Sequence, residues 1–153
     1  MMKYLLSPLL LLTLIACNNT PIPFKNHTTP QSNNITQEYL NGLNFGKREI
    51  VPILINNHYF YVNKEGKKIS TLTYNGEADK FSDGLARTKV NGKIGFFNSN
   101  LEIILKPVYD FAFPFHKGKA EICTGCKETM EEGVSMLEGG TWKKIDRNGL
   151  VIE

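Results

Sequence analysis

The chain contains three pairs of residues that favour tight turns, and each pair stands at the same point of a repeated pattern. The pairs are Asn56-Asn57, Asn91-Gly92 and Gly139-Gly140. Both residues of each pair tolerate positive φ, which a two-residue type I′ hairpin turn requires. The first two pairs are 35 residues apart and the last two are 48 apart. The sequence therefore predicts three hairpins, with an insertion in the third.

The strands around these turns are short and apolar on both faces. After each turn pair an Asx side chain is placed to open a further turn, at Asn63, Asn98 and Asp146. One apolar column is formed by Val62, Phe97 and Ile145, and the column on the opposite face by Tyr59, Ile94 and Trp142. A strand that is apolar on both faces is covered on both sides. We therefore expect neighbouring copies to cover both columns.

A second segment of the unit also repeats, because Phe81–Ala86 matches residues 115–120. Each unit thus consists of a strand, a tight turn, a second strand, a loop and a third strand. The loop carries an aromatic residue, Phe81 or Phe115, which we call the aromatic plug. Ile50–Ile55 is the expected first strand, and Pro52 within it indicates an edge strand or a bulge. We predict an all-β fold over residues 50–153, an antiparallel repeat array of short strands and hairpins. The lead-in, residues 37–49, contains one helical turn around Tyr39-Leu40, which Asn41-Gly42 ends.

Together these columns resemble the bacterial WG repeat, a short β-rich unit with a Trp-Gly step, a Tyr-Asp step and a Phe-Ser-x-Gly-Leu-Ala segment. The residues that carry the resemblance are Phe81 to Ala86, Gly95, Tyr109-Asp110, Trp142, Ile145-Asp146 and Gly149. They cover about two and a half WG-like units. The three copies of the Trp-Gly step read Tyr59-Phe60, Ile94-Gly95 and Trp142-Lys143, so none keeps Trp and Gly together. The resemblance implies a recognition or scaffold surface without shared catalytic residues.

The N-terminus has the pattern of an export signal. Lys3 supplies a positive charge, and Leu5 to Ile15 form an apolar core of eleven residues. Such a core is too short to span a hydrocarbon layer of ~30 Å as a helix. We therefore predict a signal peptide over residues 1–16.

The segment Leu14-Ile15-Ala16-Cys17 resembles the lipobox of bacterial lipoproteins. The resemblance implies cleavage before Cys17, a lipid on its thiol, and fatty acids such as palmitate that anchor the mature protein to a membrane. An ordinary secretory signal, in which Cys17 is incidental, is the alternative. Residues 17–36 are rich in Asn, Thr and Pro, which predicts a flexible tether after the lipidated cysteine. Asn18 favours the outer membrane in a Gram-negative cell.

The charge of the chain does not indicate a nucleic-acid partner. There are 18 Lys and Arg residues and 15 Asp and Glu residues, for a formal net charge of +3, and the two signs are interspersed. A protein that follows a phosphate backbone needs a dense basic stripe. The sequence also lacks a glycine-rich phosphate loop, since Asn91 to Gly95 is explained by its hairpin. We expect no nucleic acid and no cofactor.

The motif Cys123-Thr124-Gly125-Cys126 stands where an insertion, residues 124–137, enters the third unit. Three interpretations are open: a disulfide at the base of the inserted loop, a metal site with His116 as an outside ligand, and a redox pair. A redox thiolate is favoured at a helix N-terminus, whereas this pair follows the strand Ala120-Glu121-Ile122 and precedes carboxylates, which raise a thiol pKa. The disulfide is our prediction, and the other two remain as alternatives.

Four aromatic residues are candidates for a binding surface, namely Tyr59, Tyr61, Tyr109 and Trp142. Aromatic faces anchor glycans and peptides, but a small β domain also has to bury its large side chains. No catalytic residue and no metal site is indicated. The sequence therefore predicts a lipid-anchored, non-enzymatic binding or scaffold module of the cell envelope, with a protein, peptide or glycan as partner. The alternative is a redox or metal-binding protein that uses Cys123 and Cys126.

Overall fold

The computed structural model describes residues 35–152, and nearly all of its regular structure is antiparallel β-strand. The prediction of an all-β repeat array is confirmed. The predicted signal peptide, the lipidation site Cys17 and the tether up to residue 34 lie outside the described residues. Within the described range, no helix is long and apolar enough to cross a membrane.

One short helix precedes eleven strands in this range. The elements are α1 (Gln37–Asn41), β1 (Ile50–Ile55), β2 (His58–Asn63), β3 (Lys68–Ser70), β4 (Thr73–Tyr74), β5 (Glu77–Ala78), β6 (Leu85–Val90), β7 (Lys93–Asn98), β8 (Ile103–Tyr109), β9 (Phe111–Ala112), β10 (Lys119–Glu131) and β11 (Val134–Asp146). The Thr36 side chain caps α1 by accepting the Tyr39 N–H, and Gly42 follows its last residue. The predicted helical turn of the lead-in is confirmed.

Two three-stranded sheets share one plan, with the orders β1-β2-β3 and β6-β7-β8. Asn56 and Asn57 have φ of 48° and 63°, while Asn91 and Gly92 have φ of 50° and 79°. The residues that flank each pair face each other across the hairpin. Both predicted type I′ turns are confirmed. Pro52 lies in β1, an edge strand of its sheet, where a residue without an N–H is tolerated.

The third hairpin, β10 with β11, differs from the prediction at its turn. The two strands remain paired as far as Glu131↔Val134, and the chain reverses at the two residues between them. The predicted hairpin turn at Gly139-Gly140 is therefore wrong, although both glycines have positive φ, 66° and 72°. These glycines lie inside β11, so their positive φ does not form the hairpin turn.

The insertion lengthens this hairpin without changing its register. Thr124↔Thr141 in the third hairpin corresponds to Val90↔Lys93 in the second, the last pair before the turn. Residues 125–140 thus replace a two-residue turn by a two-stranded ribbon, most of which is exposed. The inserted loop expected from the sequence is a β-ribbon.

The second strand of each unit ends in an Asx turn, as predicted. The side-chain oxygens of Asn63, Asn98 and Asp146 accept backbone N–H bonds of 2.8 to 3.0 Å. Leu101 occupies the positive-φ position of the middle turn, with φ of 57°, where the outer turns have glycine. Leu101 is only 4% exposed, so burial of its side chain offsets the strained backbone.

Three apolar layers hold the fold together. We call β1–β3 unit 1, β6–β8 unit 2 and β9–β11 unit 3. The layer between units 1 and 2 contains Tyr61, Ala78, Ala86, Phe97 and Leu101. The layer between units 2 and 3 contains Leu85, Ile94, Phe96, Leu105, Ala112, Phe115, Ala120, Ile122 and Ile145. The outer layer, formed by Leu40, Val51, Ile53 and Val62, lets the lead-in cover the free face of unit 1.

An aromatic plug is used in the same way at both junctions between units. The ring of Phe81 lies 5.0 Å from that of Tyr61, and the ring of Phe115 lies 4.8 Å from that of Phe96, both in edge-to-face geometry. Phe81 and Phe115 occupy equivalent repeat positions, as do Tyr61 and Phe96. Unit 2 therefore packs on unit 1 as unit 3 packs on unit 2.

The outer face of unit 3 breaks this pattern. Trp142 is 37% exposed, whereas Ile94 at the equivalent position of unit 2 is 4% exposed. The prediction that neighbouring copies cover this column is therefore wrong for Trp142. Lys144 stands where unit 2 has Phe96 and unit 1 has Tyr61. A charged residue thus replaces the aromatic ring on which Phe81 and Phe115 pack in the other two units.

Candidate functional site

A buried ion pair connects consecutive units of the array. Asp79 follows β5 and is 2% exposed, while Arg87 lies in β6 and is 5% exposed. Arg87 donates to the carboxylate from Nε at 3.0 Å, from Nη2 at 2.6 Å and from its backbone N–H at 2.9 Å. Its Nη1 donates to the Ala112 carbonyl of unit 3 at 2.9 Å. This pair was not predicted from the sequence, in which the one indication of it is that Arg87 directly follows the apolar Leu85-Ala86.

The cysteine motif lies at the root of the ribbon. The sulfur atoms of Cys123 and Cys126 are at bonding distance, with their Cα atoms 6.0 Å apart, and both residues are buried. A Cβ on Gly140 would lie 2.6 Å from Cys123 Sγ and 2.7 Å from Cys126 Sγ. Position 140 must therefore be glycine for the ribbon to pack against the two sulfurs. This close approach explains a glycine that the sequence pattern assigned to a turn.

Asp110, from the Tyr-Asp step, ties the cysteine motif to the second hairpin. Its carboxylate accepts the Gly125 N–H at 2.6 Å and pairs with Lys93 Nζ. The hydrogen bond from Lys93, followed by the one from Gly125, holds the pKa of Asp110 below its ordinary value of 3.8. The Asp110 N–H also donates to the Cys123 carbonyl at 3.0 Å. Asp110 therefore orders the backbone on both sides of Thr124.

The other candidate polar groups do not converge on the cysteines. Over residues 35–152, no group of three or more His, Cys, Asp and Glu side chains is placed to hold a metal ion. His116 is exposed at a tight turn, where its backbone forms an isolated antiparallel β-bridge with Lys119. Glu128 accepts a hydrogen bond from Ser135 Oγ across the ribbon at 2.5 Å. With the two sulfurs joined, the motif offers no free nucleophile.

Two of the four predicted binding aromatics pack at the junction of units 1 and 2. The Tyr61 hydroxyl donates to the Asp79 carbonyl at 3.0 Å, and the residue is 8% exposed. Burial, followed by the charge of Asp79, raises the pKa of Tyr61. The Tyr59 hydroxyl donates to the Gly76 carbonyl at 2.7 Å. For these two tyrosines, packing in the core is the interpretation that the contacts favour.

The other two predicted aromatics lie in unit 3 or beside it. Tyr109 ends β8 and packs against the layer between units 2 and 3, and burial raises the pKa of its hydroxyl. Trp142 contacts Phe111 and Phe113, with ring centroids 6.0 and 6.1 Å away, and these two rings are 5.0 Å apart. Phe113 is 46% exposed. We call Phe111, Phe113 and Trp142 the aromatic patch.

The cysteine motif and the aromatic patch belong to one surface. Cys123 pairs with Trp142 on one side and with Phe111 on the other, so all three side chains lie on the same face of the sheet. Cys123 thus lies between two of the three aromatic residues on that face. Phe111 and Phe113 were not among the predicted binding residues, although both stand in the aromatic-rich segment that follows Tyr109.

Comparison with known protein families gives a match that covers most of units 1 and 2 and their junctions. A family model described as a WG containing repeat matches residues 59–93 and again residues 94–125. The first match runs from β2 to the start of β7, and the second continues from there to the cysteine motif. Neither the curated proteins nor the solved structures that were searched gave a significant match.

Proposed function

The chain belongs to the WG-repeat family, and on that basis we propose that it is a non-enzymatic binding module held at the cell envelope by a lipid on Cys17. Repeat arrays keep a constant scaffold and vary the side chains on their surface. Here the constant parts are the turns and the buried columns. The surface that differs most between units is the outer face of unit 3, and we assign the partner to it.

The observation that carries this assignment is the exposed aromatic patch. At the equivalent column of unit 2, Ile94 is buried against unit 3, but Trp142 has no such cover within residues 35–152. Clustered exposed aromatic rings are uncommon on a surface that contacts only water, and they are enriched where proteins bind partners. The partner is a protein, peptide or glycan, because each can present an apolar face to the rings.

Capture of partners from intact envelopes tests the assignment. An epitope-tagged full chain is crosslinked in cells and recovered, as wild type and with Phe113→Ala or Trp142→Ala. The matched control is Leu54→Ala, since Leu54 in β1 is 51% exposed and lies outside the patch. We expect one specific partner whose recovery falls about tenfold in the patch variants and is unchanged in the control. Equal recovery from all variants would refute the assignment.

The lipid anchor has its own test. Cells grown with labelled palmitate should label the wild-type protein, and Cys17→Ser should abolish both the label and the membrane association. A wild-type protein that stays unlabelled and is recovered in the soluble fraction would contradict the anchor. In that case the ordinary secretory signal is the correct interpretation.

Thiol titration separates the proposed module from a redox protein. Under the proposal, Cys123 and Cys126 form a structural disulfide, so the folded protein shows no free thiol until it is unfolded in reductant. Rapid reduction and reoxidation of the folded protein would instead favour the redox alternative. Metal retained after purification in reductant would favour the metal-binding one.

A further inference from the structure

A cleft of about 520 Å³ opens at the junction of units 1 and 2. Its lining is formed by Arg48, Glu49, Ile50, Pro52, Tyr61, Phe81 and Ser99. A smaller polar cleft of about 250 Å³ adjoins it, because both share Glu49, Ile50 and Ser99, and it adds Glu65 to the lining. We call the two together the inter-unit cleft.

The repeat explains why this cleft exists. The junction of units 2 and 3 has Arg87 at the position of Pro52, and Arg147 at the position of Ser99. Arg87 fills its junction with a buried guanidinium that reaches the Ala112 carbonyl. Arg147 extends over Gly84, where a Cβ would lie 3.4 Å from its Nη2. The inter-unit cleft therefore occupies the space that two arginine side chains take at the next junction.

The aromatic floor of the cleft matches that of the filled junction. Tyr61 and Phe81 form an edge-to-face pair at 5.0 Å, as Phe96 and Phe115 do at 4.8 Å. Arg87 pairs directly across the strands with Phe96, and Pro52 pairs in the same way with Tyr61. Aromatic rings attract a guanidinium group through their negative faces. The aromatic floor of the inter-unit cleft is therefore suited to a guanidinium group.

Among the lining residues themselves, carboxylates outnumber cationic groups, while Lys64 pairs with Glu49 and Lys67 Nζ donates to the Asn100 carbonyl of the smaller cleft at 3.3 Å. The lining contains two carboxylates, Glu49 and Glu65, and one guanidinium, Arg48. The Arg48 Nη2 is directed to the Asn44 carbonyl, 3.5 Å away. Glu49 is paired with Lys64 at 3.0 Å, but both side chains are exposed, at 81% and 45%. Exposed pairs of this kind are weak, so a ligand cation can compete for the Glu49 carboxylate.

We propose that the inter-unit cleft binds the side chain of an arginine residue presented by a partner peptide. The proposal goes beyond the function proposed above, because it adds a second binding surface that is distinct from the outer face of unit 3. The guanidinium lies over the aromatic floor and bonds to Glu49 or Glu65, while its aliphatic stem contacts Ile50 and Pro52. A planar guanidinium with five donors suits this arrangement better than an ammonium does.

Titration of the purified full chain with short blocked peptides tests the proposal. The probe is Gly-Arg-Gly, and the comparison peptides replace Arg with Lys, Glu or Leu. We expect backbone amide shifts at Tyr61 and Ser99 that saturate with a dissociation constant of about 1 mM. The Glu and Leu peptides should bind at least about tenfold more weakly, and the Lys peptide should lie between.

Variants that copy the filled junction provide the sharpest control. The double variant Pro52→Arg, Ser99→Arg should fill the cleft and weaken binding of Gly-Arg-Gly about tenfold or more. Leu54→Arg adds one positive charge, as Pro52→Arg does, on the same strand but outside the cleft, and it should leave binding unchanged. Glu49→Gln with Glu65→Gln, which alters only exposed side chains, should weaken binding several-fold without loss of fold.

Three results would overturn the proposal. They are no saturable shift with the Arg peptide, equal binding of the Glu or Leu peptide, and equal binding by the Pro52→Arg, Ser99→Arg variant. Failure of the cleft can be distinguished from failure of the module. If the tagged chain still captures an envelope partner that depends on Trp142, the binding module stands and only the cleft assignment fails.

Discussion

Replacement of Asp79 by asparagine should destabilise the protein by about 3–5 kcal/mol, since it breaks a buried ion pair without removing volume. Three hydrogen bonds from Arg87 end on this carboxylate. The asparagine oxygen can accept only some of them, and its NH₂ group faces other donors. Each buried donor left unsatisfied costs about 1–3 kcal/mol, and the buried guanidinium keeps its charge opposite neutral acceptors such as the Ala112 carbonyl.

A double-mutant cycle combines Asp79→Asn with Arg87→Met, which removes the positive charge of the pair. Arg87→Met alone leaves the Asp79 carboxylate buried and should cost a similar amount. In the double variant no charge is left unpaired, and the backbone N–H of residue 87 keeps the asparagine oxygen as its acceptor. The double variant should therefore cost at least about 2 kcal/mol less than the sum of the two single changes.

Urea unfolding followed by circular dichroism gives the measurement, with fluorescence of Trp142 as the second probe of two-state behaviour. With an m-value of about 1.5 kcal/mol/M, a loss of 3–5 kcal/mol lowers the midpoint by roughly 2–3 M. Domains of this size are stable by only about 5–15 kcal/mol, so the effect is large. A cost of Asp79→Asn below about 1 kcal/mol, or strict additivity in the cycle, would refute the reasoning.

Three further changes test other contacts. Gly95→Ala should lower the free energy of unfolding by about 1–3 kcal/mol in the same urea assay, because the new Cβ would lie 2.5 Å from the Leu105 carbonyl oxygen. The control Gly42→Ala should cost little, since Gly42 has negative φ and its nearest contact would be 3.4 Å away. Gly140→Ala should let a mild dithiol reductant open the Cys123–Cys126 disulfide in the folded protein, because the added methyl crowds both sulfurs; a disulfide that resists the reductant as well as in wild type would contradict this. Asp110→Asn should lower the urea midpoint at pH 7. The gap to wild type should narrow as the pH falls below about 3.8, since the pKa of Asp110 is lowered in the folded state; a gap as large at pH 2.5 as at pH 7 would exclude an electrostatic cause.

Much of the fold followed from local turn chemistry. Asn-Asn and Asn-Gly pairs adopt type I′ turns wherever two strands of equal length meet them, so the first two hairpins were predicted at the correct residues. The buried column of Val62, Phe97 and Ile145 was also predictable, because its members are large, apolar and at a fixed repeat position. These properties depend on a few neighbouring residues, which the sequence displays directly.

The remaining features depend on contacts between distant segments. Positive φ at Gly139-Gly140 could be read from the sequence, but its cause could not, because the neighbour that requires glycine at position 140 is the cysteine pair of the opposite strand. The Asp79–Arg87 pair was missed for the same reason. A charged residue in a short strand is usually solvated, whereas Arg87 is buried with the Asp79 carboxylate and the Ala112 carbonyl of unit 3 as its partners.

The ribbon of residues 125–140 shows that this scaffold can be extended at a hairpin tip. Fourteen more residues than a two-residue turn enter there, yet the pairs on either side of the entry point keep the register of the other hairpins. The turns at Asn56-Asn57 and Asn91-Gly92 occupy the same place in their units and have exposed tips. Foreign segments whose ends lie one strand spacing apart could therefore be grafted at all three tips. Such a protein would display several sequences side by side on a framework that does not need to be redesigned for each.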